Sequence, residues 1–213
     1  MYFHSRTEAG QKLAVELAPH AAEDCIVVAL STGAVIVGEE IAAALACKLT
    51  LLLGESVRLP GEQSTFGTVS QDGSFTYSDQ FSEGEVDEYY SEFHGYLEDQ
   101  KREKFQKINR LIGQGGLLDA SMLRDHVVVL VADGLKTGTS LKTAQQFLKP
   151  IRIKRLVVAA PIASVQAVDA MHMIADELHC LSVTQNYITT NHYYDDNTVP
   201  GRDEVLEKIK NTG

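Results

Sequence analysis

Val127-Val128-Val129-Leu130-Val131 constrains the chain most. Five consecutive large apolar residues, four of them β-branched, run straight into Ala132-Asp133-Gly134. A strand with one wet face alternates apolar and polar residues, so a run without a polar member must be covered on both sides, as in a central strand of a parallel sheet. Cys25 to Leu30 has the same character and closes in Ser31-Thr32-Gly33-Ala34; with Leu49 to Leu53, His126 to Val131, Leu156 to Ala160 and Leu178 to Val183 it makes five strands. Helical periodicity fills the gaps. Ser5 as N-cap with Glu8 three residues on opens a helix carrying Leu13, Ala14 and Leu17 up to Pro19, and Val35 to Cys47 places Val37, Ile41, Ala44 and Leu45 on one stripe. Leu141 to Leu148, stopped by Pro150, and Val165 to Ile174 complete the alternation. The expectation is an α/β fold, a mostly parallel Rossmann-like sheet with helices on both faces.

One stretch breaks the alternation. Phe66 to Ser78 alternates around Gln71-Asp72-Gly73-Ser74 and predicts an exposed hairpin, and Val86 to Ile112 predicts a long helix breaking at Gly95 and ended by Gly113-Gln114-Gly115-Gly116. At 213 residues the chain reads as a single domain, 1–213, with a hairpin and helix insertion at about 59–116.

The net charge of -10 weakens any case for nucleic acid or an anionic membrane as partner. Its placement matters more than its size. Leu59 to Gln100 holds ten acidic residues and no Lys or Arg, whereas Lys101 to Arg155 holds twelve basic residues and four acidic ones. No apolar run approaches the roughly 20 residues of a membrane span, so a cytoplasmic protein is expected. Cys25, Cys47 and Cys180 form no CxxC pair and read as unpaired core residues; the seven histidines show no HExxH or other ligand spacing and read as packed or surface residues, so no protein metal site is expected.

Ligands of parallel sheets bind beyond the carboxyl ends of the strands. Two turns there carry chemistry. After the third strand, Asp133 delivers a carboxylate to the sheet edge, and Lys136-Thr137-Gly138-Thr139-Ser140 offers hydroxyls, backbone N–H groups and a helix N-terminus, a setting for a dianionic phosphate. No Gly-Lys-Ser/Thr closes this loop, so it is not a Walker A loop. After the first strand, Ser31-Thr32-Gly33-Ala34 is a second tight turn on the same crevice. Tyr187, His192, Tyr193, Tyr194, Asp195 and Asp196 form an aromatic and acidic stretch that either shapes an acceptor pocket or packs at the sheet edge.

The Asp133 loop resembles the phosphoribosyl pyrophosphate motif of type I phosphoribosyltransferases. Phe3, Arg6, Glu8-Ala9-Gly10, Leu13-Ala14 and Glu40-Ile41-Ala42 are similar to the opening of a bacterial group of such proteins. The resemblance implies that Asp133 is the catalytic acid binding a ribose hydroxyl, that Lys136, Thr137, Gly138, Thr139 and Ser140 hold the 5-phosphate, and that Ser31, Thr32, Gly33 and Ala34 form the pyrophosphate loop. It also implies Mg2+ held mainly through the ligand, a small phosphorylated sugar or nucleotide as partner, a homodimer, and a hairpin that covers the site. The reaction would move the phosphoribosyl group to a nitrogenous acceptor, displacing pyrophosphate through an oxocarbenium-like transition state. Two positions depart from the pattern: Ala132 stands where the family has a first acid, and Ser31 to Ala34 where it has Pro-Arg-Gly-Gly. They favour the alternative of a binding and regulatory module without turnover.

Overall fold

In the computed structural model, which describes residues 2–62, 64–112 and 118–212, the chain alternates as the apolar runs dictate. The elements are α1 (Arg6–Leu17), β1 (Cys25–Ala29), α2 (Thr32–Leu45), β2 (Lys48–Leu51), β3 (Gly54–Arg58), β4 (Thr65–Ser70), β5 (Phe75–Tyr77), α3 (Glu83–Glu92) and α4 (His94–Ile112). They continue with β6 (Val127–Val131), α5 (Thr139–Leu148), β7 (Arg155–Ser164), α6 (Val165–Ile174), β8 (Glu177–Thr184) and α7 (Arg202–Thr212). Ser5 caps α1 by accepting from the Glu8 N–H at 3.2 Å. The Glu8 carboxylate reaches past the cap to the His4 N–H at 2.6 Å.

The main sheet has the order β2-β1-β6-β7-β8 with every pair parallel. Period-two alternation sorts each central strand between two apolar layers. Val27, Ala29, Val127, Val129 and Val131 face the side built with α1, α2 and α7; Ile26, Val28, Val128 and Leu130 face the side built with α5 and α6. All five residues of β6 are fully buried, and each such Val or Leu contributes about 1.5–3 kcal/mol relative to exposure. β7 is twice as long as β6 and continues to Ser164. Pro161 is tolerated because it lies beyond Ala159, the last residue paired with β6.

The hairpin of β4 and β5 forms around Gln71 to Ser74, but it is not the exposed ribbon expected from sequence. β3 pairs with β4 to make a second, antiparallel sheet of order β3-β4-β5, so the departure from the main sheet begins at Gly54 rather than near residue 59. One face is buried: Phe66 and Val69 pack with Leu97 and Ile108 of α4 in the main core. Alternation alone could not reveal this partner, because α4 lies some thirty residues downstream. The helix break falls at Phe93, between Glu92 and His94 and two residues before Gly95. The predicted Gly113 to Gly116 terminator lies outside the described residues.

The cysteine reading is corrected. Cys25 opens β1 and Cys47 immediately precedes β2, so the parallel pairing brings both to one end of adjacent strands; their Cα atoms are 5.6 Å apart and the sulfurs are paired as a disulfide. Cys180 is free. Among the described residues, no helix is long and apolar enough to cross a membrane.

Candidate functional site

β6 ends at Val131, and the next two side chains go to opposite sides. Ala132, 4% exposed, belongs to the layer under α5 and α6. Asp133 turns toward α1 and α2, where Oδ2 accepts from Arg6 Nε at 2.8 Å and Oδ1 accepts from the Ser31 hydroxyl at 2.8 Å. Its backbone carbonyl accepts from the Tyr194 hydroxyl at 2.6 Å. Gly33 is required here: a Cβ would collide with the Asp133 carboxylate and stand 2.8 Å from Arg6 Nε.

Arg6 is the site residue that sequence reasoning missed. It is 4% exposed; Nη2 donates to Asn191 Oδ1 at 2.7 Å, and the guanidinium lies 4.5 Å from the centre of the Tyr194 ring. Nη1 is buried with no hydrogen-bond partner. One signal was present in the sequence: a cation in the first turn of a helix opposes the dipole and needs a reason to be there. Burial pushes the Tyr194 hydroxyl well above its ordinary range, with the nearby Asp133 charge adding to it. Burial likewise pushes Tyr187 up to about 12, assisted by Asp133 and opposed by the hydrogen bond with Thr190. Both phenols are therefore neutral at physiological pH, and Tyr194 donates from that neutral form to the Asp133 carbonyl. Tyr193 and Tyr194 pack with Phe3 and Ile162, so this half of the aromatic stretch is edge packing; Tyr187 and Thr190 instead lean over Gly134 so closely that a Cβ there would collide.

The loop from Gly134 to Ser140 is held by the overhang of β7. Leu135 N–H donates to Ile162 O at 3.0 Å, Ser164 N–H donates to Leu135 O at 2.9 Å, and the Ser164 hydroxyl donates to Lys136 O at 2.7 Å. α5 starts at Thr139 behind Gly138, which supplies no side-chain cap, so the first N–H groups of this ten-residue helix lack a side-chain acceptor. The Thr137 and Thr139 hydroxyls are 3.2 Å apart. Lys136 is exposed and makes no ion pair among the described residues. These groups line a cavity of about 390 Å³ whose other wall is the small sheet, through Ser56, Thr65, Thr68 and Ser78.

Of the residues singled out in sequence, Lys136, Thr137, Thr139 and Ser140 line this cavity, while Gly138 sits behind it as the helix cap. Asp133 and Ser31 meet each other beside the cavity. Ser31 to Ala34 is less a loop than the first turn of α2, beginning three residues before the expected start, and its Ala34 N–H is already taken by the Ser31 hydroxyl at 2.9 Å. The basic surplus is also less available than its count implies, since Lys142 pairs with Asp79, Lys107 with Glu55, and Arg155 with Glu23.

A family model, the phosphoribosyl transferase domain, matches residues 5–197. The chain belongs to that family. As a phosphoribosyl transferase domain it is similar to a Mycobacterium tuberculosis protein provisionally named a phosphoribosyl transferase, 28% identical over 210 residues. The match takes in 96% of this chain but 45% of the relative, so the chain spans about half the length of the curated relatives it matches. Among solved structures, the phosphoribosyl transferase domain is similar to the protein TT1426 from Thermus thermophilus, with 25% identity, a TM-score of 0.71 and full coverage of both chains. That likeness agrees with the parallel sheet and its flanking helices.

Proposed function

We propose that this domain binds a 5-phosphoribosyl compound, phosphoribosyl pyrophosphate or a nucleotide, and transfers the phosphoribosyl group to a nitrogenous acceptor. The observation that carries the reading is the N-terminus of α5, without a side-chain cap, opening into a hydroxyl-lined cavity beside a carboxylate at the end of the central strand. Thr137, Thr139, Ser140 and the first N–H groups of α5 take the 5-phosphate, with Lys136 adding charge from the rim. Asp133 accepts from a ribose hydroxyl. Arg6, whose Nη1 is unpartnered, supplies the cation that the first turn of α2 lacks, and with that turn it receives the diphosphate. In the reaction the C1–oxygen bond to pyrophosphate breaks and a bond from the acceptor nitrogen to C1 forms. The protein contributes positioning, leaving-group charge and exclusion of water under the small sheet.

Mg2+ fits as an ion carried by the ligand. Asp133 is engaged by Arg6 and Ser31, and Asp79 by Lys142, so no free carboxylate cage exists among the described residues near the loop. The ion would neutralise the diphosphate and retain ligand oxygens and water. The reading includes a single domain over 1–213, a cytoplasmic setting where such metabolites occur, and no nucleic-acid partner.

A second reading, binding and sensing without turnover, is favoured by one observation. Ala132 is packed in the apolar layer, so a second acid is missing where the family has one, and the remaining Asp133 is already tied to Arg6. Calorimetry with phosphoribosyl pyrophosphate and Mg2+, followed by pyrophosphate release over a panel of bases, separates the two. Thr137→Val with Ser140→Ala removes two hydroxyls at about 1 kcal/mol each and should weaken binding about tenfold or more. Wild-type affinity in that double variant would overturn the site; binding without release over the whole panel selects the sensor.

A further inference from the structure

Two histidines that sequence spacing kept apart meet on the edge strand. His20 follows α1 in a single 3-10 turn, and His179 stands two residues after Glu177 on β8. His20 Nε2 lies 3.1 Å and His179 Nε2 2.9 Å from the same oxygen, Glu177 Oε1, and one ligand atom from each residue falls within 4.8 Å of the other two. We propose that His20, Glu177 and His179 form a binding site for a divalent transition ion of the Zn2+ class.

The geometry is near what such an ion needs. Metal–ligand bonds of about 2.0–2.1 Å at tetrahedral angles put ligand atoms about 3.3 Å apart. The two His–Glu separations, 3.1 and 2.9 Å, are a few tenths of an ångström short of that value, and the imidazole nitrogens, within 4.8 Å of each other, close on it by rotation of the rings. The outer contacts are those of an oriented site as well. His20 Nδ1 lies 2.8 Å from Glu23 Oε1, a carboxylate placed to hold its Nδ1–H tautomer and leave Nε2 for a metal, and His179 Nδ1 has the Glu16 carboxylate behind it at 3.5 Å, an ion-pair distance. Arg155 steadies the rear of the cluster, paired with Glu23 and 3.9 Å from Glu177 Oε2, which leaves Oε1 to the imidazoles. It also lies 3.1 Å from His20 Nδ1, a contact that competes with the carboxylate for that nitrogen.

Charge points the same way. With neutral imidazoles, Glu16, Glu23 and Glu177 outnumber Arg155 and Lys154, the latter 4.0 Å from Glu23, by one negative charge. His20 is buried, whereas Glu177 keeps about a third of its side chain in solvent, giving an ion an entry route and a water in its fourth position. None of these residues lines the phosphate-loop cavity, so the site is independent of the proposed transferase chemistry. An ion there would tie the end of α1 to the edge strand β8.

The test uses the chelator-treated full chain, titrated with Zn2+ by calorimetry and with Co2+ by visible absorption. The expected result is one ion per chain, Co2+ bands of a four-coordinate site, and a thermal midpoint that rises with Zn2+. Loss of an outer-sphere partner typically costs about 10–100-fold, so removing a ligand by His179→Ala or Glu177→Gln should cost about 100-fold or more and abolish the Co2+ bands, while His172→Ala changes nothing. Circular dichroism establishes that each variant is folded, with Glu177→Gln as the milder change if His179→Ala is not. Absence of binding by the wild type, or equal binding by the folded ligand variants, overturns the proposal and leaves the cluster as an ion-pair network.

Discussion

Asp133→Ala is expected to destabilise the ligand-free protein far more than the loss of two hydrogen bonds would. Arg6 is 4% exposed, and its charge is balanced by the Asp133 carboxylate at 2.8 Å. After truncation the guanidinium keeps only the Asn191 amide oxygen and the Tyr194 ring, with Nη1 already unpartnered. Breaking a buried pair in this way costs about 3–5 kcal/mol, mainly because a charge stays behind in an apolar setting. For a chain of this size that lowers the thermal midpoint by about 6–20 °C. Replacing both members removes that penalty, so Arg6→Met/Asp133→Ala should recover at least about 2 kcal/mol over Asp133→Ala. Urea denaturation followed by circular dichroism measures all four corners of the cycle. Asp133→Ala within about 1 kcal/mol of wild type, or a double variant no more stable than Asp133→Ala, would refute the claim that the pair is coupled.

Other contacts give smaller, separately measurable effects. Gly33→Ala drives a methyl group into the Asp133 carboxylate and should cost about 1–3 kcal/mol in the same denaturation assay. Ala46 caps α2 in the left-handed region at φ 53°, exposed, so Ala46→Gly should stabilise by about 0.5–1 kcal/mol, read from the urea midpoint. Tyr187 holds its proton more tightly folded than unfolded, so its contribution is intact below pH 10 and is lost as pH rises toward 12; tyrosinate absorbance should show a phenol titrating near 12 that is absent in Tyr187→Phe, while Tyr194 titrates later still in both proteins. Glu55 runs in the opposite direction: burial disfavours its charge, but Arg202 and Lys107 together hold its carboxyl below the ordinary value. Its contribution is present above pH 4.5 and lost as pH falls, so Glu55→Gln should flatten the acid limb of a stability–pH curve.

The parallel sheet was legible because uninterrupted runs such as Val127 to Val131 leave no face for water, and the Asp133 loop because acid, glycine and hydroxyl residues crowd one strand end. What escaped depends on distant residues. Phe66 alternates with polar neighbours as a wet hairpin does, and only α4 turns its face into core. Arg6 meets Asp133 across 127 positions, and Cys25 meets Cys47 because one crossover returns the chain to the adjacent strand. His20 and His179, 159 positions apart in the numbering, share Glu177 only because α1 lies over β8. Spacing rules read helix faces and turns; they cannot read neighbours that the sheet order creates.

The overhang of β7 makes Ser164 a junction. Its hydroxyl donates to the Lys136 carbonyl while accepting from the Ala167 N–H at 3.0 Å, so one side chain both fastens the cavity loop and starts α6. A proton on that oxygen can serve the loop only while the helix holds the oxygen in place. Fraying of α6, on the far side of the sheet from Arg6, would thus loosen Lys136 directly. Amide hydrogens of Leu135 and Ser164 should exchange as slowly as those of the central strands, and Ser164→Ala should speed exchange in the loop and in the first turn of α6 together.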